Sequence, residues 1–239
     1  MPALYAFLER RLWLFDFDNT LTALERQVDW KASRRALECF LRRQGVDEAL
    51  LRQFPTRNLP LYDALLARQM AEPHRGTEIS RQASAIIESY ELRGVEKAVP
   101  LHGAPELMLL LNARRRQIAI VTSNSSRTVE RWLQLHRLTH TVRTIVGRDS
   151  LLPLKPSPMM LARAIQMSCR VANETIMVGD SEADAQAARD AGVDFLGIAS
   201  DPAMQARLQE LGASAVFSSP GDLAYRLFGS ETSPQRTCF

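Results

Sequence analysis

Leu12-Trp13-Leu14-Phe15-Asp16-Phe17-Asp18-Asn19-Thr20-Leu21 decides the fold of this 239-residue chain. The apolar, aromatic-rich run predicts a buried strand over about 11–17, and it ends abruptly in two aspartates one residue apart. Alternation along an extended chain carries Asp16 and Asp18 to the same side. Two carboxylates leaving a strand end together repel unless a cation or a shared proton relieves them. A Mg2+ ion takes oxygen ligands and often binds phosphate as well, so the pair points to a metal site. Asn19-Thr20 then marks a turn.

Outward from this stretch the pattern divides in two. Between about Val28 and Val99 the periodicity is helical, with segments near 31–44, 47–53, 59–71 and 77–93. Ala36, Leu37, Phe40 and Leu41 set the spacing in the first of these, and Ile79, Ala83, Ile86, Ile87 and Tyr90 in the last. Gly45, Pro55, Pro60, Pro73 and Gly76 punctuate them, and no strand is expected. After Pro100, helices near 104–115, 126–136, 158–169, 182–191, 202–211 and 220–228 alternate with strands near 117–122, 142–146, 175–178, 194–199 and 215–217. That alternation implies the α/β class, a Rossmann-like parallel sheet covered on both faces, with ligands beyond the strand C-termini. Residues 1–22 and 100–228 are expected to form the core, 23–99 an inserted helical cap over the two aspartates, and 229–239 a flexible polar tail.

Composition narrows the function classes. The chain is 46% hydrophobic and 24% charged, as in ordinary globular proteins. Its net charge of +3 comes from basic residues of which only three are lysines, Lys31, Lys97 and Lys155. The arginines are dispersed, without a stripe interleaved with aromatics, so no nucleic-acid partner is expected. Cys39, Cys169 and Cys238 are far apart and lack metal-ligand spacing, which suits a reducing compartment. Glu9, Arg10 and Arg11 precede a short apolar run broken by Asp16, unlike a signal peptide, and no uncharged run reaches membrane-span length. The expectation is a cytoplasmic monomer or homodimer with no membrane partner.

Polar groups accumulate at the expected strand ends. Thr122, Ser123 and Asn124 follow the second strand, where hydroxyl and amide groups at a strand-to-helix turn suit phosphate. Lys155 precedes Pro156 in a loop leading to a helix. Asp180 ends the fourth strand, and Asp184 lies one helical turn further on, with Glu182 between them. Alone, each is an ordinary turn or helix cap. Together they offer a carboxylate that can attack phosphorus, cationic neutralisation of the approaching charges, and a second carboxylate to move protons.

Asp16-Phe17-Asp18-Asn19-Thr20-Leu21, Thr122-Ser123-Asn124, Lys155-Pro156 and Gly179-Asp180-Ser181-Glu182-Ala183-Asp184 resemble, in order, the four motifs of the haloacid dehalogenase superfamily. The likeness covers nearly the whole chain except the tail, and points to the phosphoglycolate-phosphatase-like branch with a helical cap. The resemblance implies Asp16 as nucleophile, Asp18 as general acid/base, Thr122 as a phosphoryl-holding residue aided by the turn at Ser123 and Asn124, and Lys155 as a bridge between phosphate and Asp16. It also implies Mg2+ held by Asp16, Asp180 and the main-chain carbonyl of Asp18, with Asp184 acting indirectly. Asn19 stands where a glycine is common, and asparagine tolerates the left-handed backbone such a turn needs. Asp18 argues for phosphate-ester chemistry, because true dehalogenases of this kind lack it.

The cap is expected to set specificity and exclude water. Arg57, between Pro55 and Pro60, is a candidate for a remote carboxylate or phosphate of the substrate; His74 and Arg75 form a weaker loop pair. Trp30, Tyr62 and Tyr90 read as cap packing, and His102 as a hinge residue. The implied activity is hydrolysis of a small phosphorylated metabolite, phosphoglycolate or a relative, through an aspartyl-phosphate. The alternatives are a phosphomutase of the β-phosphoglucomutase type and a catalytically silent binding protein of the same fold.

Overall fold

The computed structural model describes residues 5–68 and 73–229. Strand β1 (Leu12–Phe15) lies at the middle of a six-stranded parallel sheet with β2 (Gln117–Val121), β3 (Val142–Val146), β4 (Thr175–Gly179), β5 (Asp194–Ile198) and β6 (Ala215–Phe217). The order is β3-β2-β1-β4-β5-β6. Leu12 pairs with both Gln117 and Thr175, and Phe15 with both Ile120 and Val178, so β1 has a strand on each side. All four of its residues are fully buried, which is why the sequence is apolar without a polar alternate. Connections run outward from β1 in one direction through β2 and β3, and in the other through β4 to β6. The loops after β1 and β4 therefore diverge and open a crevice at the carboxyl edge.

The segment inserted after β1 holds α1 (Trp30–Arg43), α2 (Glu48–Gln53), α3 (Asn58–Arg68) and α4 (Pro73–Val95), preceded by a short 3-10 turn at Leu24–Gln27. Asp29 and Asp47 cap α1 and α2 by accepting from Ala32 and Ala49 amides. The rest of the sheet is covered by α5 (Ala104–Ala113), α6 (Ser126–Leu135), α7 (Met159–Met167), α8 (Glu182–Asp190), α9 (Pro202–Glu210) and α10 (Pro220–Phe228). The alternation of β1 separates two cores. Trp13 and Phe15 join Leu107, Trp132 and Leu223 on the face of α5, α6 and α10. Leu12 and Leu14 join Met160, Ala187 and Leu208 on the face of α7, α8 and α9, and this second cluster continues into Leu37, Leu61, Tyr62 and Ile87 of the helical segment. The helical segment thus shares one apolar core with the sheet.

The chain leaves and re-enters the sheet layer side by side. Thr22 bridges Pro100, its hydroxyl donates to the Val99 carbonyl at 2.9 Å, and the Leu101 amide donates to Leu21 at 2.9 Å.

The element boundaries that differ most from the sequence reading are at β1 and α4. β1 ends at Phe15, so both aspartates lie beyond the ladder. α4 starts at Pro73 rather than near 77, because proline fits the first helical turn, where its missing N–H is no loss. Gly76, read as punctuation, lies inside that helix; a single interior glycine costs only about 1 kcal/mol. The side chains of His74 and Arg75, and the tail from residue 230 with Cys238, lie outside the described residues. Among the described residues no helix is long and apolar enough to cross a membrane.

Candidate active site

Asp16 sits one residue past β1, and its amide still donates to the Val178 carbonyl of β4 at 2.9 Å. The side chain is thereby held at the β1/β4 crevice. Phe17 is fully buried beneath it. The Phe17 carbonyl accepts from Leu21 at 2.8 Å and Thr22 at 3.2 Å, closing a turn in which Asn19 takes φ 60°, as its residue type allows. Asp18 emerges from this turn, and its Oδ1 accepts the Glu25 amide at 3.0 Å. One of the two aspartates is thus tied to the sheet and the other to the start of the helical segment.

Lys155 has all three ammonium protons engaged. Nζ donates to Asp16 Oδ1 at 2.5 Å, Asp184 Oδ1 at 2.6 Å and the Val121 carbonyl at 2.9 Å. Its loop is fixed from α3, where Asp63 Oδ1 accepts the Leu154 amide at 2.9 Å. Asp180 follows Gly179, and a Cβ at Gly179 would stand 2.6 Å from the Asp184 Cβ, so that position needs a residue without a side chain. Thr20 Oγ1 donates to Asp180 Oδ1 at 3.2 Å. Asp184 closes a capping box with Ser181: its Oδ2 accepts the Ser181 amide at 3.1 Å and hydroxyl at 2.6 Å. Both Asp184 oxygens are therefore in use.

After β2, Thr122 and Asn124 are buried and Ser123 is half-buried. Thr122 Oγ1 donates to Asn124 Oδ1 at 3.0 Å and accepts the Asn124 amide at 3.1 Å.

These groups line one cavity of about 570 Å3, in which Asp16, Asp18, Thr122, Ser123, Asn124, Lys155, Asp180 and Asp184 meet Glu25, Trp30 and Arg57. The residues of the four motifs expected from the sequence converge there, together with Arg57. Arg57 is placed by Arg34, a buried side chain of α1 that donates to the Leu51 carbonyl at 3.1 Å and the Arg57 carbonyl at 3.4 Å. A larger groove of about 1060 Å3 between α5 and α10 holds no comparable cluster, so size alone does not locate the chemistry. His102 lines that groove instead. Tyr62 is buried and donates to the Arg148 carbonyl at 3.0 Å, so it joins the helical segment to the loop after β3.

The electrostatics are unbalanced. Burial pushes the Asp16 carboxyl up to about 6 against the pull of Lys155. Burial likewise raises Asp18 to about 7, partly offset by the Glu25 amide. Asp180 rises to about 8, through burial first and then the Asp16 and Asp184 charges. Burial disfavours the Lys155 ammonium, but Asp16 and Asp184 together raise its pKa above the ordinary lysine value. Carboxylate oxygens of Asp16, Asp180 and Asp184 lie within 4.8 Å of one another, a group that does not include Asp18. Such an all-oxygen, excess-acidic set fits a hard divalent cation.

Sequence reading did not single out Glu25, Ser181 or the role of Thr20. The spacing Ser181-x-x-Asp184 before a helix is a capping-box signal and marks Ser181. Glu91 and Arg148 were also missed. They form a fully buried ion pair behind the turn at 122–125, across 57 positions of sequence, and nothing local announces it.

The family of haloacid dehalogenase-like hydrolases matches residues 13–198. The chain is similar to a phosphoglycolate phosphatase of Aliivibrio fischeri, 28% identical over 194 residues, covering 78% of this chain and 82% of that protein. A phosphoglycolate phosphatase of Pseudomonas putida is 27% identical over 188 residues, covering 79% and 69% respectively. Among solved structures, a haloacid dehalogenase-like family hydrolase of Streptococcus pneumoniae superposes with a TM-score of 0.59 at 21% identity, covering 91% of this chain and 99% of that one.

Proposed function

This chain belongs to the haloacid dehalogenase-like hydrolase family, and we propose that it is a divalent-metal-dependent phosphatase that hydrolyses a small phosphomonoester through a phosphoryl group carried on Asp16. The observation that carries this reading is the position of Asp16: at the β1/β4 crevice, bonded to Lys155, with Asp18 and Thr122 lining the same cavity.

In the first step an Asp16 carboxylate oxygen attacks phosphorus, and the bond from phosphorus to the leaving oxygen breaks. Asp18 gives its proton to that oxygen, a task suited to a carboxyl whose pKa is near 7. In the second step Asp18, now ionised, takes a proton from water as the water oxygen attacks phosphorus. The bond to Asp16 breaks, and orthophosphate leaves with Asp16 restored. Lys155 neutralises charge on Asp16 and on the phosphoryl oxygens, and Thr122 with the 123–124 turn cradles the latter. Asp16, Asp180 and the Asp18 carbonyl would hold Mg2+, which supplies further neutralisation of the phosphoryl charge. Asp184, with its oxygens committed to Lys155 and Ser181, orients the lysine.

Residues 23–99 act as the cap in this reading, and residues 1–22 with 100–228 as the core. Arg57 is the cap group available to a remote anionic substituent on the substrate. Phosphoglycolate carries such a carboxylate, and the similar proteins named phosphoglycolate phosphatase favour it as substrate. This reading would have the protein act in the cytoplasm, where phosphorylated metabolites and Mg2+ are abundant. The test is phosphate release from a panel of phosphorylated metabolites, with Mg2+ and with EDTA. The reading expects metal-dependent release, with Arg57→Ala raising KM most for substrates with a remote anion. No release from a folded protein, or dependence on a sugar bisphosphate primer, would contradict it.

A further inference from the structure

Behind the phosphate-binding turn lies a charged pair that the reaction itself does not use. Glu91 on α4 and Arg148, just after β3, have no exposed side-chain surface and are joined at 2.7 and 3.0 Å through both carboxylate oxygens. Burying two charges is costly, and a buried pair is weak evidence for stability alone, since apolar side chains of similar size serve a core as well or better. What distinguishes this pair is where its remaining hydrogen bonds go. Glu91 Oε1 accepts Asn124 Nδ2 at 3.1 Å, and Oε2 accepts the Ser125 amide at 3.1 Å and the Thr128 hydroxyl at 3.3 Å. Arg148 Nη1 donates to the Ser123 carbonyl at 2.8 Å, and the Arg148 amide donates to the Asn124 carbonyl at 2.8 Å. Residues 123, 124 and 125 are each held by this pair.

The hydrogen bond to Asn124 has a directional consequence. A carboxylate only accepts, so Glu91 requires the amide nitrogen of Asn124 to face it. The amide oxygen is then turned toward Thr122, whose hydroxyl donates to it at 3.0 Å. Flipping Asn124 would set its oxygen against the Glu91 carboxylate. The chain of bonds thus runs from the cap helix, through one amide, to the hydroxyl beside the reacting centre.

We propose that the Glu91–Arg148 pair is a positioning device: from the cap it fixes the 122–125 turn, and with it the place of Thr122 Oγ1, as the cradle of a phosphoryl group, to which the Thr122 proton turns from Asn124 Oδ1. This rests on the reading of that turn as the phosphoryl cradle.

The test compares wild type, Glu91→Gln and the double variant Glu91→Gln/Arg148→Met, which removes both charges and leaves none buried alone. Each is measured for Tm, for KM and kcat, and for inorganic phosphate binding by calorimetry with Mg2+, which needs no turnover. Glu91→Gln is expected to lower Tm and to weaken phosphate binding by about tenfold, the effect of removing one charge-assisted hydrogen bond from behind the cradle. The double variant is expected to regain Tm, while phosphate affinity stays weakened and KM raised. Recovery of both Tm and phosphate affinity in the double variant would make the pair merely structural and overturn the inference. If wild type binds no phosphate, the cradle reading falls and takes the inference with it; normal phosphate binding in Glu91→Gln overturns the inference alone.

Discussion

Lys155 is the residue on which the site's charge balance turns. With its three protons spent on Asp16, Asp184 and Val121 it has no rotational freedom to lose when substrate arrives, which is how a preorganised electrostatic group acts. Replacing it with methionine keeps the length of the side chain and removes the charge. Lys155→Met should lower kcat by roughly a thousandfold and lower Tm as well, since it leaves Asp16 and Asp184 buried without their cation. Unchanged kcat would show that Asp16 does not need the lysine. The pH profile tests the aspartates. Asp16 must be ionised to attack, and Asp18 protonated to assist departure, so kcat/KM should rise with pH through a limb at or below about 6 and fall through one near 7. Asp18→Asn should lower kcat by between a hundredfold and ten-thousandfold for unactivated esters and abolish the falling limb. A falling limb that persists in this variant would assign it to another group. Asp16 and Asp180 were legible in sequence because each directly follows a strand, β1 and β4, so backbone periodicity fixes where it points, whereas Lys155, in a loop beyond β3, was legible as one of few lysines and through its motif. Glu91 and Arg148 were not, since each is defined by a partner from a remote helix or loop.

The N-terminus of α8 shows how an element carries function. Gly179 ends β4 with no side chain, Asp180 turns into the crevice, and Ser181 caps the helix while holding Asp184 against Lys155. Ser181→Ala loses the cap, at a cost of about 1 kcal/mol in chemical denaturation. It should also lower kcat, because Asp184 is deprived of the hydroxyl that orients it. A loss of stability with kcat intact would separate capping from chemistry. Gly179→Ala should be worse on both counts, since the new methyl meets Asp184 backed by the helix. At this scale the α/β alternation was readable because strands and helices have different periods. The start of α4 and the end of β1 were less so. A proline fits a first helical turn as well as it ends one, and the aspartates continue the alternation of β1 beyond its last paired residue, Phe15, where only the Asp16 amide still bonds to β4.

Across the whole molecule, the excess of buried carboxylates links metal, protons and stability. The folded-state pKa of Asp180 lies near 8, above its unfolded value, so between about pH 4 and pH 8 the folded protein holds this proton more tightly than the unfolded chain. Its contribution to stability is therefore greatest at low pH and is lost as pH rises. Metal-free wild type should lose Tm relative to Asp180→Asn between pH 5 and pH 8, and Mg2+ should restore wild type at pH 8 but not the variant. The opposite slope would mean that Asp180 ionises freely in the fold. The architecture was legible as a whole because β1 lies at the centre of the sheet, and its sequence states both burial and chemistry. The shared core between sheet and helical segment was not, since apolar helix faces do not say what they meet. The central claim remains that Asp16 carries the phosphoryl group. Asp18→Asn mixed with an aryl phosphate, whose leaving group needs no proton, should accumulate the intermediate. Rapid quenching and intact-protein mass spectrometry should find one added phosphoryl group, absent from Asp16→Asn and mapped to Asp16 by borohydride reduction to homoserine. Release of phosphate with Asp16 unmodified, or turnover by Asp16→Asn, would contradict it.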